Sequence, residues 1–153
     1  MSNLLVVYHS RSGGTQAMTD AVVAGATSDE IEDVDVRVRR APDAGVDDVS
    51  WSNAVVLGTP ENFGYMSGLM KDFLERIYYP LLDKTVGLSY ALYVKASTDG
   101  AGAVSSIERI LTGLHWKAVQ QPFVIVGDVT AEHLEHCHDL GMTMAAGLEA
   151  GIY

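Results

Sequence analysis

Three hydroxyl residues, Ser10, Ser12 and Thr15, surround the glycine pair Gly13-Gly14 in the segment Ser10-Arg11-Ser12-Gly13-Gly14-Thr15. Hydroxyls and flexible backbone at that spacing suit the binding of one phosphate by neutral donors. A turn of this kind between a strand and a helix aims backbone N–H groups and the helix dipole at one spot, which favours an anion. Other phosphate chemistries lack their residues. No Gly-x-x-x-x-Gly-Lys-Ser/Thr supplies the lysine of a nucleoside triphosphate site, and no Gly-x-Gly-x-x-Gly supplies a dinucleotide turn. The lone cysteine, Cys137, is remote from the loop, so a thiol phosphatase does not fit. His9-Ser10 and Gly58-Thr59 stand where a phospho-acceptor receiver needs carboxylates.

Two further segments carry site-like chemistry. Thr59-Pro60-Glu61-Asn62-Phe63-Gly64-Tyr65-Met66-Ser67 is long for a connection and sets two aromatics on a glycine hinge. Ser97-Thr98-Asp99-Gly100-Ala101-Gly102 is small and polar, offering backbone donors with little bulk. Taken with the first loop, they describe a pocket for a planar heteroaromatic ring with a phosphate tail. His133, His136 and Cys137 could share one helical face as metal ligands. Leu134, Cys137, Gly141, Ala145 and Leu148, however, trace a core stripe that includes the thiol, so no metal is expected.

These loops need strands and helices to hold them. Leu4–Tyr8 and Ala54–Gly58 are continuous apolar runs, the pattern of strands buried on both faces. Val34–Arg39 alternates valine with charge, as an edge strand does. Tyr90–Ala96 and Val119–Gly127 complete five strands. Helical periodicity falls on Gln16–Ala26, on a segment capped by Ser67 that stops near Pro80, on Gly102–His115 and on Thr130–Leu148, with Pro42–Ser50 a loop or short turn. Alternating strand and helix predicts one α/β domain over residues 1–153, a parallel sheet covered on both faces. The three loops leave the carboxyl ends of strands, where such sheets bind ligands. Trp51 and Trp116 lie outside all three and are expected to pack.

Composition narrows the setting. Twenty acidic against ten basic residues give a formal net charge of −10, which disfavours nucleic acid and anionic membrane and suits a basic partner. No apolar run is long enough to span a bilayer, and no basic leader precedes the first strand. One cysteine agrees with a reducing cytoplasm.

With these residues in view, the chain resembles the flavodoxin-like superfamily, especially its NAD(P)H-dependent flavin and quinone reductase branches. Ser10-Arg11-Ser12-Gly13-Gly14-Thr15 is similar to the superfamily's FMN phosphate loop. Gly58-Thr59-Pro60-x-x-Phe63-Gly64-x-Met66-Ser67, continuing to Lys71 and Phe73, resembles the flavin-ring segment of quinone reductases named for tryptophan-repressor binding. The resemblance implies a three-layer fold, its five-stranded parallel sheet in the order 2-1-3-4-5, with FMN bound noncovalently. It implies that Ser10, Arg11, Ser12, Gly13, Gly14 and Thr15 hold the phosphate. Thr59, Pro60, Glu61, Asn62, Phe63, Gly64 and Tyr65 would border the ring, with Phe63 and Tyr65 as stacking groups. Ser97, Thr98, Asp99, Gly100 and Gly102 would meet the pyrimidine end or the ribityl chain.

The resemblance also implies a use for the flavin. The third loop has no aromatic, so one ring face stays open to a nicotinamide and then to an acceptor. That points to an oxidoreductase taking electrons from NAD(P)H to a quinone or similar small molecule. The strong acidity and the short chain favour the alternative, an electron carrier of the flavodoxin type docking on a basic redox protein. Glu61 and Asp99 would bear on the ring's electrostatics if they faced it. Homo-oligomerisation is left open, and no side chain is singled out as an acid or base, since hydride transfer to a flavin requires none.

Overall fold

A computed structural model describes residues 1–153. Its strands are β1 (Ser2–Tyr8), β2 (Val34–Arg40), β3 (Ala54–Asn62), β4 (Tyr65–Met66), β5 (Ser89–Ala96), β6 (Lys117–Ala118) and β7 (Phe123–Val126). Its helices are α1 (Gly14–Ala26), α2 (Val46–Trp51), α3 (Gly68–Leu81), α4 (Ala101–Gly113) and α5 (Ala131–Glu149), with a 3-10 turn at Ala41–Asp43. Parallel pairing runs β2-β1-β3-β5, and the next position is shared by β6 and β7, both on β5. The expected order 2-1-3-4-5 therefore holds, counting β5 as the fourth strand and β6 with β7 as the fifth.

The divided fifth strand departs from the single run expected over Val119–Gly127. Pro122 has no N–H to give the ladder and restricts the residue before it. Gln120 instead turns its side-chain amide to the Leu140 carbonyl at 3.2 Å, and pairing resumes at Phe123 opposite Tyr93.

Side chains of a strand alternate between faces, and both faces here are apolar. Leu5, Val7, Val55, Leu57, Leu92 and Val94 meet Phe73 and Ile77 of α3 and Ile107 and Leu111 of α4. Leu4, Val6, Val56 and Tyr93 meet Met18 and Val22 of α1 and Cys137 and Met144 of α5. Each fully enclosed leucine or phenylalanine contributes about 1.5–3 kcal/mol. Trp116 is also buried, its indole N–H donating to Thr85 at 2.8 Å, while the Arg37 guanidinium covers Trp51 at 4.0 Å. Both tryptophans pack, as the sequence suggests.

Contacts across the sheet fix α1, and through it the first loop. A Cβ on Gly58 would fall 2.1 Å from Cζ of Tyr93, so only glycine lets that ring cross β3. The buried Tyr93 hydroxyl then meets the Thr19 hydroxyl of α1 at 2.5 Å. On the other flank, a Cβ on Gly25 would lie 1.9 Å from the His138 carbonyl oxygen, and one on Gly141 would lie 1.9 Å from that of Val22. The α1 and α5 backbones thus touch at paired glycines.

Candidate functional site

The first loop joins β1 to α1. Gly13 takes a left-handed conformation (φ 98°) and caps α1, which starts at Gly14 instead of the expected Gln16. The Gln16 N–H donates to Ser10 Oγ at 3.1 Å, closing the loop and leaving the Ser10 hydroxyl proton free. The N–H groups of Arg11, Ser12, Gly13, Gly14 and Thr15 donate to no protein acceptor, and the Ser12 and Thr15 hydroxyls make no protein hydrogen bond. No acidic side chain stands in the first turn of α1, and nothing lies within 4 Å of a Cβ built on Gly13. Consecutive free donors at a positive helix end fit a phosphate. His9, just before the loop, has an enclosed Nδ1 with no partner. Burial, with Arg40 and Arg11 adding to it, pushes its pKa below the usual histidine value, so the imidazole is neutral at pH 7.

The second segment is a hairpin, which corrects the open connection expected over Thr59–Ser67. β3 runs on past Gly58 to Asn62, and Asn62 pairs with Tyr65 across the turn residues Phe63 and Gly64. Both turn residues have positive φ, 54° and 66°, the geometry of a tight type I′ hairpin. Pro60 is tolerated because β1 ends opposite Gly58, leaving β3 a single parallel neighbour beyond that point. The Phe63 and Gly64 N–H groups are unbonded, and the Phe63 ring is wholly exposed (103 %).

Thr59 and Glu61 are placed differently from the ligand contacts expected of them. Thr59 is fully enclosed, its hydroxyl accepting the Ser67 N–H at 3.0 Å and donating to the Pro60 carbonyl. Ser67 in turn caps α3 by accepting the Met70 N–H at 3.2 Å. Glu61 is buried and turned toward the third segment. Its Oε1 accepts the Ser97 and Thr98 N–H groups at 3.0 and 2.6 Å, and its Oε2 accepts the Gly100 N–H at 3.0 Å. The Ser97 and Thr98 hydroxyls also donate to it. Burial works to raise its pKa, but the donors of Thr98 and then Ser97 outweigh this and hold it below the usual glutamate value.

The third segment therefore arrives with part of its donor set spent on Glu61, while the Asp99 and Gly102 N–H groups donate to no protein acceptor. Asp99 is exposed and accepts the Ala101 N–H at 3.0 Å, starting α4. Gly100 is left-handed (φ 75°), and a Cβ on Gly102 would fall 1.7 Å from the Gly64 carbonyl oxygen. The hairpin tip thus rests on the backbone at the start of α4. Tyr65 is partly exposed beside this contact, over a groove of about 530 Å³ that Arg109 and Lys71 also line. The structure brings the three loops to one end of the sheet, where the small third loop keeps the free N–H groups of Asp99 and Gly102.

One contributor escapes the sequence reading. Lys95 sits within β5, yet its side chain reaches the first loop: a Cβ on Gly14 would lie 3.2 Å from Lys95 Cγ. The expected absence of a lysine motif concerned the loop's own residues, and no local pattern marks a strand lysine as its neighbour. The tail histidines serve packing and capping. His136 stacks on Phe123 with ring centroids 3.8 Å apart, and His133 Nδ1 accepts the Thr130 N–H at 3.1 Å.

Comparison with known proteins shows the family and the fold. A profile of the family described as NADPH-dependent FMN reductase matches residues 27–131. A flavodoxin of Aquifex aeolicus (strain VF5) is 31 % identical over 114 residues, 74 % of this chain. The chain spans 60 % of that relative's length. An NAD(P)H dehydrogenase (quinone) of Acidithiobacillus ferrooxidans is 30 % identical over 148 residues, covering 83 % of this chain and 71 % of that protein. Among solved structures, a flavodoxin from the domain Archaea has a TM-score of 0.83 at 23 % identity, covering 96 % of this chain and 99 % of its own. A flavodoxin, WrbA-like protein from Agrobacterium tumefaciens has a TM-score of 0.79 at 19 % identity, covering 98 % and 99 %.

Proposed function

Since the chain belongs to the NADPH-dependent FMN reductase family, we propose that it is an FMN-dependent oxidoreductase passing electrons from NAD(P)H to a quinone or similar small acceptor. FMN is its cofactor, and when bound it supplies the chemistry, accepting hydride from a nicotinamide and releasing electrons to the acceptor. The protein binds and orients. In this reading the N–H groups of Arg11 to Thr15 and the hydroxyls of Ser10, Ser12 and Thr15 hold the phosphate. The free N–H groups of Phe63 and Gly64 face the polar edge of the ring, and Phe63 with Tyr65 borders it. Thr59 and Glu61 position the hairpin and the third loop without touching the ligand.

The observation that carries the reading is the third loop, Ser97–Gly102, whose side chains include no aromatic to cover a ring. An uncovered face admits the nicotinamide and then the acceptor in turn. Residues 1–153 would act as one FMN-binding domain in the cytoplasm, a setting supported by a lone cysteine that is buried. No helix is long and apolar enough to cross a membrane.

A second reading, an electron carrier without its own substrate, is favoured by the −10 net charge and the Aquifex flavodoxin relative. Anaerobic stopped-flow mixing of the FMN-loaded protein with NADH and with NADPH separates the two. Bleaching of the flavin band within seconds, faster than free FMN, supports the oxidoreductase and names its donor. No bleaching with either donor, with dithionite reduction resolved into two one-electron waves, establishes the carrier instead.

A further inference from the structure

We propose that Lys95, a strand residue outside the phosphate loop, supplies the positive charge that neutralises the FMN phosphate and sets the preference for FMN over riboflavin. This rests on the placement of that phosphate on the loop Ser10–Thr15. Lys95 lies on the α1-facing side of β5, two positions beyond Tyr93, whose hydroxyl fixes α1 through Thr19. Its stem crosses the backbone of Gly14, the first residue of α1. A Cβ there would fall 3.2, 3.3 and 3.5 Å from Lys95 Cγ, Cε and Cδ. Any side chain at position 14 would press on the stem, so glycine makes room for a lysine against the helix start.

The charge at that place has no protein counterpart. Lys95 Nζ makes one long contact, 3.5 Å to the Ala96 carbonyl oxygen, and no carboxylate lies within ion-pair distance. The first turn of α1 contains no acidic side chain. A positive side chain beside a positive helix end is unfavourable alone. A chain with twenty acidic residues places none of them here. A phosphate dianion on the free N–H groups of Arg11–Thr15 relieves both charges together. The loop's N–H and hydroxyl groups supply geometry, Arg11 stands exposed among them, and Lys95 supplies a charge from the sheet side.

The test is flavin fluorescence quenching with FMN and with riboflavin at two salt concentrations. It uses the wild type, Lys95→Met, which keeps the stem, and Lys95→Arg, which keeps the charge. Loss of a charge-assisted contact should weaken FMN binding about 10- to 100-fold in Lys95→Met. Riboflavin binding should be unchanged, and Lys95→Arg should retain most of the FMN affinity. Added salt should weaken FMN binding less in Lys95→Met than in the wild type. Equal losses for both flavins would show that Lys95 only packs, and no loss for either would show that it does nothing for the phosphate; both results overturn the proposal. A wild type binding riboflavin as tightly as FMN would overturn the phosphate placement itself, a distinct outcome.

Discussion

Glu61 and Thr98 are bonded twice, the Glu61 Oε1 accepting the Thr98 N–H at 2.6 Å and its hydroxyl at 2.9 Å. A buried side chain near the end of β3 therefore stands in for backbone pairing with the loop after β5. Glu61→Gln puts an amide N–H₂ or a lone oxygen where two acceptors are needed, so one of the Gly100 or Thr98 donors is left facing a donor. Each buried donor so orphaned costs about 1–3 kcal/mol. Urea unfolding of Glu61→Gln should show a loss of that order, and Glu61→Ala a larger one. An unchanged midpoint in both would mean that the carboxylate does not secure the loop.

The same carboxylate gives the fold an acid limb. Its folded pKa lies below its unfolded value because Thr98 and Ser97 donors outweigh burial. Between the two values the unfolded chain binds more protons, so stability rises with pH there. The contribution is complete above the unfolded glutamate value, about 4.3, and is lost as pH falls through the lower folded one. Urea midpoints measured down this range should fall for the wild type and fall less steeply for Glu61→Gln. Parallel curves would place the acid limb in other groups.

The α1–α5 crossing makes a separate prediction. A methyl at Gly141 meets the Val22 carbonyl oxygen at 1.9 Å, and backbone cannot rotate away as a side chain can. Gly141→Ala should therefore cost about 2 kcal/mol or more through overpacking. Gly68, at the start of α3 with nothing within 4 Å of its would-be Cβ, is the control. Gly68→Ala should be neutral or slightly stabilising in the same thermal melts. A Gly141→Ala protein as stable as wild type would mean that the helices separate without loss.

The legible parts of this site are those decided by neighbours in sequence. The buried runs Leu4–Tyr8 and Ala54–Gly58 read directly as strands because both faces meet helices, and Ser10–Thr15 read as a donor-rich strand-to-helix turn because its donors are local. The hairpin did not, since Gly58 and Pro60 look like the end of a strand until one knows that β1 stops opposite Gly58. Glu61 looks like a surface acid, and its partners lie 36 and more residues away. Lys95 reads as part of a strand for the same reason: Gly14, which admits it, is meaningful only once β5 and α1 are side by side. Pro122, by contrast, is a local signal for the broken fifth strand that the single run expected over Val119–Gly127 passes over.

Phe63 presents a conflict between folding and binding that can be measured. It occupies a left-handed position (φ 54°) beside Gly64, where a bulky L-residue costs about 1–2 kcal/mol and asparagine sits more easily. Its ring is fully exposed and contributes nothing to either core. The fold alone would select asparagine, and in the function proposed above the phenylalanine answers instead to a flavin ring beside the hairpin. Phe63→Asn should raise the stability of the flavin-free protein by about 0.5–1 kcal/mol, seen as a higher melting temperature. It should also weaken FMN and riboflavin alike, by roughly tenfold, the size of one lost aromatic contact with a heterocycle. Equal loss for both flavins is the signature of a ring contact and contrasts with the selective loss expected of Lys95→Met. Unchanged affinity for both would remove Phe63 from the site and leave Tyr65 as the aromatic bordering the ring.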